Sequence, residues 1–474
     1  MYTEIVRFDK TLRPYQQTAK NDIFASWDEC NNVMFQMPTG TGKTRLFTSI
    51  ISDIKAWSVL FHHEAKVLII AHRVELIEQI SESLDKYKVE HGIIAAGKER
   101  NLRAQVQVAS IQTITHRNNL DVASSLNANF IIIDEAHHST ANSYRKLWEL
   151  YPDSKKLGVT ATPWRMNHSG FKSLYDKLII SKSIAEFIRE GWLAPYSYFS
   201  IKDTSNIRLD IAGINEFDIE GDYKISALER VMDNTTIRAN LLNSYLKLAK
   251  GKKGIIYSIS RKHSDHICEE YKKAGVNIVR IDSETPREER RLYVQRFKNG
   301  LIDIIVNVDI FSEGFDCPDI EFIQLARPTK SLVKYLQQVG RGLRPTADKS
   351  KCIILDNVGA HIEFDLPNAD RDWNIEFEGV PIVRKKREAS SKNVEIEYRE
   401  RSFDEGADEL CLVDDVENSN AIEISKEEWK EADDALLKTL YIDRQCSISI
   451  ISTVFNKEEQ SIKERLIELN LLEE

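Results

Sequence analysis

Short runs of uninterrupted apolar residues, each closed by a turn and followed by a stretch of helical period, recur along this chain and constrain its fold more than any other feature. VMFQM (33–37), KVLIIA (66–71), QVQVAS (105–110), FIIID (130–134) and KLGVTA (156–161) form a first series, with helical spacing over stretches such as 73–87. A strand that is apolar on both faces has no side to give to water, so it belongs in a parallel sheet covered by helices. A second series follows: GIIYSI (254–259), VNIVRID (276–282), DIIVNV (303–308), IEFIQLA (320–326) and CIILD (352–356). The pattern predicts two α/β units in tandem. Between them the polar, weakly periodic stretch 200–245 predicts a linker or small insertion leading into a helix over 226–249, and after Asp356 the strand pattern ends.

The 474 residues, 42% of them hydrophobic, suffice for about three domains of roughly 150 residues each. A formal net charge of -9 speaks against a phosphate-rich partner until it is resolved along the chain. Residues 366–474 hold 15 Lys+Arg against 28 Asp+Glu, which leaves 50 against 46 for residues 1–365. The acidity therefore belongs to the C-terminal quarter. Cysteines stand singly at 30, 268, 317, 352, 411 and 446, without the spacing of zinc ligands or of a disulfide framework. The first residues, MYTEIVRFDK, lack the apolar core of a signal peptide, and no run approaches the ~18 apolar residues of a membrane span. A soluble, reduced, cytoplasmic protein is expected, with no zinc and no membrane partner.

MPTGTGKT (37–44) lies directly after a predicted strand and before a predicted helix, where a loop can aim successive backbone N–H groups at phosphates. Pro38, Thr39, Gly40, Thr41 and Gly42 supply the loop, with the two glycines permitting its tight backbone. Lys43 brings a point charge to β- and γ-phosphates, and Thr44 a hydroxyl for Mg²⁺. Met37 stands where the strict motif has glycine, and a Gly-rich turn is the alternative reading of these residues alone. FIIIDEAH adds Asp134 and Glu135 at the end of an apolar strand, where Asp134 can hold Mg²⁺ through water and Glu135 can orient and deprotonate an attacking water. The two motifs together point to hydrolysis of a phosphate bond, with ATP and Mg²⁺ as the cofactors.

From about residue 10 to 380 the chain resembles the superfamily 2 helicases and translocases of the DEAD/DEAH type. The resemblance implies two tandem RecA-like parallel-sheet lobes around an ATP cleft. LRPYQ (12–16) is similar to the family's adenine-recognition element, with Gln16 on the adenine edge and Arg13 nearby. AHRVELIEQ (71–79) and SIQT (110–113) are similar to its strand contacts and implicate Arg73, Gln112 and Thr113. TATPWR (160–165) resembles the element in which Thr160 and Thr162 couple the nucleotide site to strand movement, and His137 is a coupling residue by the same resemblance. IYSISRKHSD (256–265), with Ser260, and NVDIFSEGFDCPD (307–319), with Gly314 and Asp316, continue the series. By the same resemblance, QQVGRGLR (337–344) implies that Gln337, Arg341 and Arg344 approach the γ-phosphate from the opposite lobe, the two arginines as fingers.

Within the superfamily, DEAHH, IDSETPREERRLYVQRFKNG and LDNVGAHIEFDLPNADRDW most resemble bacterial RadD-type and restriction- or repair-type DNA translocases. The expected organisation is a first lobe at 1–199, a linker or insertion at 200–245, a second lobe at 246–380, a charged connector at 381–424 and a helix-turn-helix-like helical domain at 425–474. The final segment either contacts DNA or has a protein-docking or structural role, and the balanced charge of its third helix, after an acidic segment, favours the latter. The leading expectation is a DNA-dependent ATPase that translocates and unwinds. An RNA helicase and an ATP-gated DNA clamp without unwinding are the alternatives.

Overall fold

The computed structural model describes residues 2–62, 64–139, 142–311, 317–379 and 409–416, and of the C-terminal part 437–438, 441, 448, 459–469 and 471–472. The chain divides into two compact units, Met1–Asn418 and Ser419–Glu474.

The first unit holds two seven-stranded sheets. One comprises β1 (Asn32–Gln36), β2 (Val67–Ala71), β3 (Gly92–Ile94), β4 (Val106–Ser110), β5 (Phe130–Asp134), β6 (Lys155–Thr160) and β7 (Lys177–Ile180). Its order is β3-β4-β2-β5-β6-β1-β7, every pairing parallel. The central strands are buried along their whole length, as their unbroken apolar runs require: Ile131, Ile132 and Ile133 of β5 are all fully enclosed. Each such side chain contributes roughly 2 kcal/mol of burial.

The second sheet comprises β8 (Tyr196–Ser200), β9 (Gly254–Tyr257), β10 (Ile278–Ile281), β11 (Ile304–Asn307), β12 (Phe322–Leu325), β13 (Cys352–Asp356) and β14 (Cys411–Val416). The order is β10-β11-β9-β12-β13-β8-β14, parallel throughout except for β14, which runs antiparallel to β8. The tandem α/β reading therefore holds, and two of its boundaries move.

Of the two readings of 200–245, the structure has a packed insertion and not a linker, and the helix expected over 226–249 is divided in two. β8 enters the second sheet beside β13, and the helices Asn206–Ala212, Ile225–Met232 and Thr235–Leu248 bury Ile207, Ile211, Leu228, Met232, Leu241 and Tyr245. The polar loop between the first two helices is anchored by Asp222, which accepts from Lys334 Nζ at 2.8 Å, Thr329 Oγ1 at 2.9 Å and Lys330 N at 2.8 Å. Of the polar residues in this loop, Asp222 is buried as an ionic anchor, and most of the others face solvent. Likewise, the part of the expected connector at 411–416 is the edge strand β14, while 380–408 lies outside the described residues. In the second unit Leu437, Ile462 and Leu466 are buried together, the last two on the helix Glu459–Glu468. Tyr441, Ile448, Leu469, Leu471 and Leu472 pack against them, and most of the remaining residues of the expected helix-turn-helix lie outside the described residues. No helix among the described residues is long and apolar enough to cross a membrane.

Candidate nucleotide site

β1 continues one step beyond Gln36, where Met37 N donates to Thr160 O at 2.9 Å, and the chain then folds into the loop 38–42. Thr41 Oγ1 closes this loop on Pro38 O at 2.7 Å, and Gly40 and Gly42 both take left-handed backbone angles, φ 89° and 91°. Gly42 caps the helix Lys43–Leu60, whose first N–H groups have no partner within the helix. Those N–H groups open on a cavity of about 750 Å³ lined by Thr39, Gly40, Gly42, Lys43 and Thr44. A Cβ on Gly42 would stand 2.5 Å from Gln16 Nε2, so a larger residue there would push that carboxamide away. Gln16 Nε2 donates to the Thr41 and Gly42 carbonyls at 3.1 Å each, and its Oε1 accepts from Arg13 N at 2.9 Å. The carboxamide expected on a base edge is thus engaged with the loop itself. Tyr15, which the sequence reading passes over, donates its hydroxyl to Thr41 O at 2.7 Å. Arg13 lies against the Trp192 ring at 5.0 Å and lines the cavity.

Asp134 and Glu135 face Lys43 from the end of β5 and line the same cavity. Burial lowers the pKa of the Lys43 ammonium, Glu135 and Asp134 counteract this, and Arg341 and Arg344 add to the lowering. Five charges from three chain segments therefore act on one another here. Lys43 Nζ donates to Met37 O at 3.1 Å. Glu135 adopts a left-handed conformation at φ 50°, a strain on the order of 1 kcal/mol that ends the strand abruptly. Its carboxylate lies 3.4 Å from His137 Nδ1 and accepts from Gln337 Nε2 at 3.4 Å. His137 Nδ1 also stands 3.0 Å from Thr160 Oγ1, which accepts from Thr162 N at 3.2 Å. His137 Nδ1 thus stands between the strand-end carboxylate and Thr160, whose hydroxyl holds the Thr162 backbone.

Gln337 and Arg341 lie on the buried helix Leu332–Gly342 of the second lobe, and Arg344 follows it. A Cβ on Gly340 would stand 2.7 Å from Thr39 Cβ, so this helix meets the loop more closely than any other residue would allow. A Cβ on Gly40 would in turn touch Arg344 Cγ at 3.2 Å. The structure thus brings Lys43, Thr44, Asp134, Glu135, Arg341 and Arg344 to one cavity, with Gln16, Gln337, His137 and Thr160 behind them.

The expected strand contacts are not gathered in this way. Arg73 Nη1 donates to Asp309 O at 2.9 Å across the lobes. Gln112 is exposed, donates to His72 O at 3.1 Å and accepts from Ser110 Oγ at 2.7 Å. Thr113 holds Asn119 Nδ2 through its carbonyl at 2.7 Å. Ser260 caps the helix Arg261–Lys273, accepting from His263 N at 3.3 Å, which gives it a structural task. Gly314 and Asp316 lie outside the described residues. The sequence reading also misses two ion pairs at the cleft rim, Arg290–Glu75 at 2.9 Å and Arg287–Glu78, which join the helices Arg287–Lys298 and Val74–Lys86. Charge alone would not find them, since neither partner stands out from its exposed helix.

A family described as the type III restriction enzyme res subunit matches residues 9–165, and the helicase conserved C-terminal domain matches residues 237–346. A 51.5 kDa protein of Lactococcus phage (isolate 7-9) is 37% identical over 348 residues, covering 73% of this chain and 70% of that protein. IRC3 of Saccharomyces cerevisiae, an ATP-dependent helicase by name, is 32% identical over 363 residues, covering 74% of this chain and 52% of IRC3. The chain thus spans about half the length of that relative. Among solved structures, a fragment assigned as the HsdR subunit of a type I restriction enzyme from Vibrio vulnificus YJ016 shares the fold at a TM-score of 0.60 and 21% identity, covering 81% of this chain and 69% of that one.

Proposed function

Because the chain belongs to the superfamily 2 helicases of the restriction-enzyme type, we propose that it is an ATP-driven helicase or translocase of DNA, hydrolysing ATP between its two lobes. The observation that carries this reading is the meeting of Lys43, from one lobe, with Arg341 and Arg344, from the other, in a single cavity. Helix N–H groups, an ammonium and two guanidiniums converging on one cavity suit a triphosphate, whose charge each of them can stabilise. The loop 38–44 fits the Walker A role, and Asp134, Glu135, Ala136 and His137 fit the DEAH form.

The residues also suit Mg²⁺: Thr44 and Asp134 offer hard oxygen donors at the cavity wall, beside a glycine cradle that a Cβ would fill. Bound there, the ion would offset phosphate charge. The chain's own part is then positional. Helix N–H groups and Lys43 hold the phosphates, and Glu135 accepts the proton of the attacking water while Gln337 and His137 keep its carboxylate in place. Arg341 and Arg344 stabilise the charge of the transferring phosphoryl group only when the lobes are shut, which ties turnover to closure. Gln16 acts by setting the loop conformation.

DNA is favoured over RNA because XPB2 of Sulfurisphaera tokodaii, 24% identical over 380 residues, is by name a DNA 3'-5' translocase. The test is ATPase activity with single-stranded DNA, duplex, fork and RNA at one stated salt concentration. DNA is expected to stimulate and RNA not to; the reverse would overturn the DNA assignment. Lys43→Ala and Glu135→Gln should each lower kcat by about 10²-fold or more, the usual size of a lost general base for the second. Unchanged turnover in both would sink the nucleotide site.

A further inference from the structure

Lys349 is buried, with its side chain in the second lobe just before β13. Burial is costly for an ammonium unless every N–H is matched. Here three carbonyls match them: Gly342 O at 2.9 Å, Pro318 O at 2.9 Å and Ile320 O at 3.0 Å. Gly342 is the last residue of the helix that carries Gln337 and Arg341, so its carbonyl is one of those a helix leaves without an intrahelical partner. A cation at that end also suits the helix dipole. Pro318 and Ile320 belong to the segment that leads into β12. Pro318, Arg344 and Pro345 all border the cavity that holds Lys43.

Arg344 thus sits on a turn fastened at several points. Gly342 O is held by Lys349, and Leu343 O accepts from Ala194 N at 2.7 Å. Burial lowers the Lys349 pKa, and Arg344 lies near enough to add to that lowering while Cys352 and Asp319 oppose it. An apolar side chain at this position would leave three carbonyls of two separate segments facing one another with nothing between them.

We infer that Lys349 is a positioning residue for the reaction, holding Arg344 in register with the loop 38–42 by fastening the end of the Leu332–Gly342 helix to the segment 318–320. This inference rests on the proposed hydrolytic role of Arg344. Lys349 touches neither nucleotide nor metal; it acts through the turn.

The test is a double-mutant cycle on full-length protein, with kcat and the affinity for a fluorescent non-hydrolysable ATP analogue measured for each variant. Lys349→Met should lower kcat at least tenfold and leave analogue affinity within threefold. Lys349→Arg, which keeps the cation and its donors, should recover kcat to within threefold of the unmodified protein. In an Arg344→Ala background, Lys349→Met should cost less than threefold more, because its target is already gone. Unchanged kcat, a joint loss of affinity and turnover, or a fully additive loss in the double variant would each overturn the inference. If Lys349→Met does not fold, Lys349→Gln takes its place in the cycle. The outcome is separable from the hydrolytic reading itself: an Arg344→Ala protein with normal kcat would refute the finger role, whatever Lys349 does.

Discussion

His263 shows how one side chain can be read from its surroundings. It is fully enclosed at the start of the Arg261–Lys273 helix, and its Nδ1 accepts from Ile259 N at 3.4 Å. Burial depresses its pKa to about 4, opposed by Asp233 and reinforced by Arg238 and His266. The folded ring binds a proton less readily than the unfolded one, whose pKa is near 6.5. Its contribution is thus intact above about pH 6.5 and is lost as pH falls from there to about 4, on the order of 3 kcal/mol in all. Urea unfolding midpoints across pH 4–7 should therefore fall more steeply for the unmodified protein than for His263→Gln, and parallel curves would refute this account. At this scale the sequence is legible where chemistry is local. The glycines around Lys43 and the carboxylates after an apolar strand announce themselves by spacing alone. Lys349 and Gly340 do not, because what makes each of them matter is a partner that only the fold brings near. Gln16 is an intermediate case: its place in the site is legible, its hydrogen bonds are not.

At the scale of elements, strands buried on both faces are readable as unbroken apolar runs, and each of those runs is a strand. Four others leave weaker marks. β3 is three residues long, β7 is a partly exposed edge, and β14 carries Asp414 and Asp415 along the sheet margin. β8 is buried yet alternates tyrosine with serine, because Tyr198 and Ser200 spend their hydroxyls on the enclosed Asp356 at 3.0 and 2.9 Å. Buried polar networks of this kind erase the apolar signature that sequence reading depends on. The helices Val74–Lys86 and Arg287–Lys298 face each other through Glu75–Arg290 and Glu78–Arg287. Such rim pairs contribute about 0.2–1 kcal/mol each and weaken with salt. Arg287→Glu with Arg290→Glu should destabilise closure by about 1–2 kcal/mol, raising the KM for ATP by roughly fivefold to thirtyfold. Adding Glu75→Arg and Glu78→Arg should restore it; a KM unmoved by the first pair would show that these contacts do not bear on closure.

The molecule as a whole separates its charge from its chemistry. Residues 419–474 hold 7 Lys+Arg against 13 Asp+Glu, so the terminal unit accounts for -6 of the total of -9. Removing it should leave the thermal midpoint of the remaining unit within about 2 °C and tighten DNA binding severalfold at low salt, with the difference fading as ionic strength rises. A cut at 404 would instead strip β14 from the second sheet, so the deletion begins at 419. Fluorescence anisotropy with labelled DNA at two salt concentrations reads the outcome, and unchanged low-salt affinity would mean that this acidity does not act at a distance. One further consequence concerns how the halves of this first unit come together. The space between Thr39 and Gly340 admits a hydrogen atom and not a methyl group. Dispersion attraction fades within about an ångström of separation, so the seat rewards complete docking and offers almost nothing to a half-docked arrangement. Under the proposed closure, shutting would behave as a latch that is either home or free, and the turnover rate would count how many molecules are latched rather than how wide a gap each one holds.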